Sequence, residues 1–199
     1  MHAEYSNDML RYKQLGVRDL DGLHAIDRSD FSPTTYRVKH GELILECREF
    51  RHPGFTRAEW DGHIRKFRAE LQKGATILFG AFDGARLVGI SGLEVDQPRG
   101  PQRDMLNMGP LWVTRSHRRR GIGEQLLALT RQAATDRKTR ALYVSATPAR
   151  STVEFYLRMG CQLLSVPDKY LFALEPDDIH MGLHLMPSKT DADDARQRA

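Results

Sequence analysis

The residues best suited to chemistry lie in one stretch, Leu111-Trp112-Val113-Thr114-Arg115-Ser116-His117-Arg118-Arg119-Arg120-Gly121-Ile122-Gly123-Glu124. A strand-like apolar run passes into a basic loop. Two glycines then open a segment whose apolar residues, Ile122, Leu126, Leu129 and Ala133, recur at helical spacing. The first turn of a helix has N–H groups without intrahelical partners and carries the positive end of the helix dipole. Glycines let an anion approach the backbone closely, and three adjacent arginines add positive charge. The expected chemistry is the cradling of a phosphate group. Neither common nucleotide motif fits. A dinucleotide fingerprint needs a third glycine where Leu126 stands, and a P-loop needs lysine where Glu124 follows Gly123.

Several elements must hold this stretch in place. Leu106–Val113 reads as a strand that Pro110 interrupts, because proline has no N–H for the ladder; a bulge at Gly109-Pro110 is expected. Ala75–Phe82 and Arg86–Val95 read as a hairpin joined at Asp83-Gly84. Gln97–Asp104, with Pro98, Gly100 and Pro101, reads as a loop. A helix over Gly121–Arg137 should lead into a short buried strand, Ala141–Ala146. Ser151 is the expected cap of a helix from Thr152 to Met159, ended by Gly160, with a further strand over Cys161–Leu164. Upstream, Leu10–Leu15 reads as strand and Asp19–Ile26 as a short helix. Thr56 should cap a helix with Trp60, Ile64, Phe67 and Leu71 on its apolar face, stopping near Gly74. Within 31–54 only Leu43-Ile44-Leu45 gives a strand signal, and Ile179–Met186 reads as a last strand. Strand and helix alternate after residue 75, which argues an α/β domain over 9–186, with loose tails at 1–8 and 187–199.

Composition narrows the partners. Thirty Lys+Arg against 26 Asp+Glu gives +4 over 199 residues, too mild a balance to imply nucleic acid. Twenty-three of the basic residues are Arg, which suits bidentate contact with phosphate or carboxylate. The longest apolar run, Ala75–Phe82, is too short to cross a bilayer, so no membrane partner is expected. The polar N-terminus and the presence of two cysteines, Cys47 and Cys161, favour the cytoplasm over a disulfide-built secreted chain. Both cysteines are expected to be small buried hydrophobes, and His117 to be exposed. His180 and His184 are four apart but lie on a strand-like segment, so no metal is expected.

The spacing Arg118-x-x-Gly121-x-Gly123, with Val113 five residues upstream, resembles the pyrophosphate motif of the GNAT N-acetyltransferase superfamily. Phe155-Tyr156-Leu157-Arg158-Met159-Gly160-Cys161 resembles the second signature of that family. The likeness is specific from Leu106 to Leu164, looser over Ile77–Val95, and faint over 27–55. It implies the GNAT fold: a mixed sheet of about six or seven strands flanked by helices, with two splayed parallel strands, here Leu106–Val113 and Ala141–Ala146, forming a coenzyme A cleft. It implies acetyl-CoA as cosubstrate, no metal, and a monomer or homodimer. Main-chain atoms of Leu111 and Val113 would bond the pantetheine arm. Backbone N–H groups within Arg118–Glu124 (Arg118, Arg119, Arg120, Gly121, Ile122, Gly123 and Glu124) would hold the pyrophosphate. An N–H of Leu111 or Trp112 would polarise the thioester carbonyl, and Tyr156 would stabilise or protonate the departing thiolate. One position departs from the pattern: many members carry Asn where Ala149 stands, leaving Ser151 as a substitute contact.

The implied reaction is direct attack of a primary amine, on a small molecule or a peptide, at the thioester. The rival within the same fold is a non-catalytic acyl-CoA-binding module. Glu94 and Glu46 are the carboxylates weighed as general base, and neither is assigned. Glu42, Glu46 and Glu49 hint at a cationic acceptor.

Overall fold

A computed structural model describes residues 10–185. The tails expected at 1–8 and 187–199 lie outside the described residues. The N-terminal part runs β1 (Arg11–Gln14), a 3-10 helix (Val17–Ala25), β2 (Asp30–Ser32), β3 (Thr35–Lys39), β4 (Glu42–Glu46), β5 (Phe50–His52) and α1 (Arg57–Gln72). The remainder runs β6 (Thr76–Asp83), β7 (Arg86–Glu94), β8 (Met105–Val113), a 3-10 turn (Arg115–His117), α2 (Ile122–Thr135), β9 (Ala141–Ala146), α3 (Arg150–Arg158), β10 (Gln162–Leu163), α4 (Lys169–Leu174) and β11 (Ile179–His184).

Seven strands form one sheet in the order β1-β6-β7-β8-β9-β11-β10. All its pairs are antiparallel except β8 with β9. α1 and the first 3-10 helix cover one face. Leu20, Leu23, Trp60, Ile64 and Phe67 pack there against Leu78, Leu87 and Ile90. α2 and α3 cover the other, where Leu127, Ala134, Val153 and Tyr156 pack on Leu106, Met108, Leu142 and Val144. α1 buries Trp60, Ile64 and Phe67 of its expected stripe, with Leu71 packed beside them. α2 buries Ile122, Leu126 and Ala133 as expected, but Leu127, Thr130 and Ala134 complete its buried face and Leu129 is only half-buried. α1 begins with the expected cap: Thr56 Oγ1 accepts from Glu59 N–H at 3.3 Å, and Glu59 Oε2 accepts from Thr56 N–H at 2.7 Å.

Residues 30–52 depart from the single-strand expectation. They form two ribbons outside the main sheet, β2 with β5 and β3 with β4. The β3–β4 turn is His40-Gly41, both at positive φ (52° and 83°). That is the geometry of a tight hairpin turn, entered through histidine rather than the usual Asn or Asp. The ribbon carries Cys47 out to solvent, so that cysteine is not the buried hydrophobe expected, whereas Cys161 is buried. α3 starts at Arg150 with Ala149 as its N-cap, so Ser151 lies inside the helix and caps nothing. α4 escaped the sequence reading; Asp168 caps it by accepting from Tyr170 and Leu171 N–H at 3.0 and 3.1 Å.

Candidate functional site

The parallel pairing of β8 with β9 covers only Met105–Asn107 against Ala141–Tyr143. Beyond those three rungs the strands part, and a cleft of about 1270 Å³ opens between them. The bulge expected at Gly109-Pro110 is present: Ser91 pairs Leu111 while Leu93 pairs Met108, so Gly92 alone faces two residues of β8. Above it, Thr114 N–H bonds Val88 O at 2.8 Å. Backbone groups alternate direction along an antiparallel strand, so those of Trp112 also turn towards β7, while those of Leu111 and Val113 turn into the cleft. The indole of Trp112 packs among Phe55, Trp60, His63 and Phe67 on the α1 face.

At the top of β8 the chain turns through Arg119 (φ 61°) and Gly121 (φ 76°), both left-handed. Such alternation of handedness directs successive N–H groups to one point, an anion nest. The first bond at the start of α2 runs from Gln125 N–H to Gly121 O at 3.0 Å. The N–H groups of Ile122, Gly123 and Glu124 therefore lie ahead of the helical ladder and open towards the cleft. The arginine side chains divide. Arg118 donates from Nε to Val113 O at 3.1 Å and from a terminal nitrogen to Asp30 Oδ1 at 2.9 Å, so it braces the turn. Arg119 lines the cleft; Arg120 is exposed and not among its lining residues. His117 is buried, against expectation: its ring nitrogens meet Asp83 Oδ2 and Ser116 Oγ, each at 2.9 Å.

Tyr156 reaches the cleft from α3 and is 6% exposed. Burial raises its pKa, and the charge on Asp178 adds to the rise. Asp178 lines the same cleft at the head of β11, where Ile179 pairs Ala146 at the tip of β9. Burial pushes its carboxyl up to about 7; Glu175 adds to the rise and Arg28 opposes it. Arg28 lies over the rings of Phe55 and Trp112 at 4.8 and 5.0 Å and reaches His52 Nε2 at 2.7 Å. Burial lowers the pKa of His52 first, and Arg28 lowers it further. On the α1 face the cleft continues past Glu70, Glu94, Asp96, Arg99 and Asn107.

The family model described as "Acetyltransferase (GNAT) family" matches residues 39–161. The chain belongs to the GNAT acetyltransferase family. Its GNAT fold is shared by a nourseothricin acetyltransferase, 19% identical over 89% of this chain and 99% of that one, with a TM-score of 0.65. It is shared by the PaiA N-acetyltransferase of Thermoplasma acidophilum in complex with coenzyme A, 16% identical over 88% and 99%, with a TM-score of 0.56. The ribosomal-protein-S18-alanine N-acetyltransferase of Escherichia coli is 14% identical over 90% and 96%, with a TM-score of 0.57. No curated protein matches the sequence. The GNAT domain makes this chain an acetyl-CoA-dependent N-acetyltransferase.

In this GNAT chain the cleft gathers ten of the eleven residues singled out from sequence, Arg120 being the exception. Sequence reasoning missed Arg28, Asn107 and Asp178. Of the two carboxylates weighed as base, Glu94 lines the cleft, whereas Glu46 sits on the β3–β4 ribbon 3.9 Å from Arg37. Glu42 and Glu49 are likewise absent from the lining. His180, weighed against metal ligation, meets Tyr143 Oη at 2.8 Å in the core.

Proposed function

We propose that this enzyme moves an acetyl group to a primary amine within the β8–β9 cleft, with residues 9–186 acting as one catalytic domain in the cytoplasm. The sheet draws strands from both ends of the described chain, which supports a single domain. Both cysteines are free, in keeping with a reducing compartment. The observation that carries the reading is the pairing, on one wall, of cleft-facing strand groups with the N–H groups that precede the α2 ladder. Leu111 and Val113 offer strand-type groups, and the turn from Arg118 to Glu124 offers an N–H nest.

Acetyl-CoA supplies an activated thioester. The residues present fit it: Leu111 and Val113 bond the amide-bearing arm, and the N–H groups of Ile122, Gly123 and Glu124 hold the diphosphate, with Arg119 beside them. Val113 contributes its N–H, because its carbonyl already accepts from Arg118. The Leu111 N–H opens to the cleft whereas that of Trp112 turns to β7, so Leu111 N–H would polarise the thioester carbonyl. Tyr156 donates a hydrogen bond to the sulfur as negative charge grows there. A thiol has a pKa of about 8.5, below that of this buried phenol, so Tyr156 acts chiefly as a donor and not by complete proton transfer. Asp178 takes the proton from the entering ammonium; with its carboxyl at about 7 it is ionised enough to accept and basic enough to hold it. Release of free coenzyme A, followed colorimetrically over a panel of amines, tests the reading. Saturable acetyl-CoA binding without turnover on any amine would favour the non-catalytic module.

A further inference from the structure

α4 has little apolar packing of its own. Of its six residues only Leu171 is buried, while Tyr170, Phe172 and Leu174 are exposed. Yet the turn that leaves it, Glu175-Pro176-Asp177-Asp178, lines the cleft throughout. Apolar burial does little to fix where that turn sits, so hydrogen bonds must. At the front of α4, Asp168 accepts from Gly100 N–H at 3.0 Å as well as capping the helix. At the back, one carbonyl meets two nitrogens. Glu175 O accepts from Asp178 N–H at 3.2 Å and lies 3.1 Å from His180 Nε2.

The His180 ring is buried, and its bonding has one consistent direction. A carbonyl oxygen only accepts, so Nε2 carries the hydrogen. In the neutral ring Nδ1 is then an acceptor. Tyr143 Oη lies 2.8 Å from it, and Ser145 Oγ farther off at 3.4 Å. Tyr143 therefore donates its O–H to Nδ1, and its oxygen accepts from Asp168 N–H at 3.1 Å. The chain of bonds joins the residue before α4 to the residue after it, through a phenol on β9 and an imidazole on β11. Every donor in it meets an acceptor. A protonated ring would turn Nδ1–H against Tyr143 and take from the buried Tyr143 O–H the acceptor it has. Burial favours the neutral ring in the same sense, with Glu175 and Asp168 opposing.

We propose that His180 is a positioning residue: its Nε2–H, kept in place by Tyr143, fixes the turn from Glu175 to Asp178 and so holds the Asp178 carboxyl at the cleft. This rests on the reading of Asp178 as proton acceptor and adds what places it. Glu175 and Asp177 face that carboxyl from its own turn, Arg28 from the segment after the first 3-10 helix, and Tyr156 from α3. A shift of the turn changes the surroundings of Asp178 on every side.

The test reads Asp178 directly, by carbon NMR of protein carrying aspartate labelled at Cγ, its resonance assigned by its loss in Asp178→Asn. In the parent the carboxyl should titrate near pH 7. His180→Asn is too short to reach Glu175 O. It should lower that midpoint by about one pH unit or more, towards the ordinary carboxylate range, as the turn loosens and the carboxyl hydrates. His180→Gln, whose amide nitrogen can take the place of Nε2, should restore most of the parental value, although both variants unfold more easily. Nitrogen NMR of the parent at pH 7 should find the His180 hydrogen on Nε2. A hydrogen on Nδ1 instead overturns the proposal without any variant, should His180→Asn fail to fold. The parental midpoint in His180→Asn, or an equal fall in both variants, also overturns it and leaves Asp178 as proton acceptor. The rise of kcat/KM towards pH 7, followed on the fastest amine of the panel, tests Asp178 separately. A rise that is absent, or kept in Asp178→Asn, overturns Asp178 as acceptor and the role of His180 with it.

Discussion

Arg118 and Asp30, 88 residues apart in sequence, are joined at 2.9 Å across the mouth of the cleft. The same guanidinium holds Val113 O at 3.1 Å. A residue that sequence motifs mark for phosphate therefore ties the anion turn to β8 and to the N-terminal ribbon. Arg118→Lys keeps the charge but cannot make both bonds. It should raise KM for acetyl-CoA more than it lowers kcat. A double-mutant cycle with Asp30→Asn should show coupling of about 1–2 kcal/mol in thermal or urea unfolding. Additive effects would show that the two side chains act separately.

Asp178 carries opposite consequences for activity and stability. As the proton acceptor it should give log(kcat/KM) a unit-slope rise that levels off near pH 7, and Asp178→Asn should remove that limb. The stability sign follows from the raised folded pKa. From about pH 4 up to about 7 the native carboxyl keeps a proton that the unfolded chain has released, so its contribution falls as pH rises and is constant above. Asp178→Asn should therefore unfold like the parent near pH 4 and be more stable at pH 8, by at most about 4 kcal/mol. An unchanged pH profile in the variant would remove Asp178 from the chemistry.

Tyr156→Phe deletes one hydroxyl from a side chain whose ring is part of the core. It should lower kcat by about a hundredfold, leave KM for acetyl-CoA within about twofold, and barely move the unfolding midpoint. Acetyl transfer at the parent rate across a pH series would leave Tyr156 with a packing role only.

The bulge has a steric requirement on its neighbour. A β-carbon on Gly92 would stand 2.9 Å from the ring of Pro110 and 2.9 Å from Leu78 Cδ2. Gly92→Ala should cost about 1–3 kcal/mol by overpacking and weaken acetyl-CoA binding, because β8 must shift where its free backbone groups face the cleft. Calorimetry on the folded variant checks this; unaltered affinity would separate the bulge from the cofactor.

The half of the site built on local pattern was legible. Pro110 announced its own bulge, and Gly121 and Gly123 announced a helix start, because each constraint sits in the residue itself. What depended on distant partners was not. His117 stands among arginines and reads as solvated, yet Asp83 reaches it from the β6–β7 hairpin 34 residues away. Asp178 lies in a polar stretch with no motif; its raised pKa comes from burial and from Glu175, with Arg28 opposing. Asn107 reads as one polar residue in a strand, and only the parting of β8 from β9 puts it on the cleft wall. Glu42, Glu46 and Glu49 were read as acceptor-facing, but none lines the cleft, because a ribbon outside the main sheet was not visible in the alternation of 42–46. The carboxylates that do line it on the α1 face are Glu70, Glu94 and Asp96.

Calorimetric titration with acetyl-CoA, set beside S-acetylpantetheine, tests the central claim most directly. The account predicts saturable binding of acetyl-CoA at one site. It also predicts affinity at least about a hundredfold weaker for the analogue, which lacks the diphosphate together with the phosphoadenosine it carries, the loss of several charge-assisted N–H bonds being the main part. Equal affinity for the two compounds, or no heat with acetyl-CoA, would contradict it.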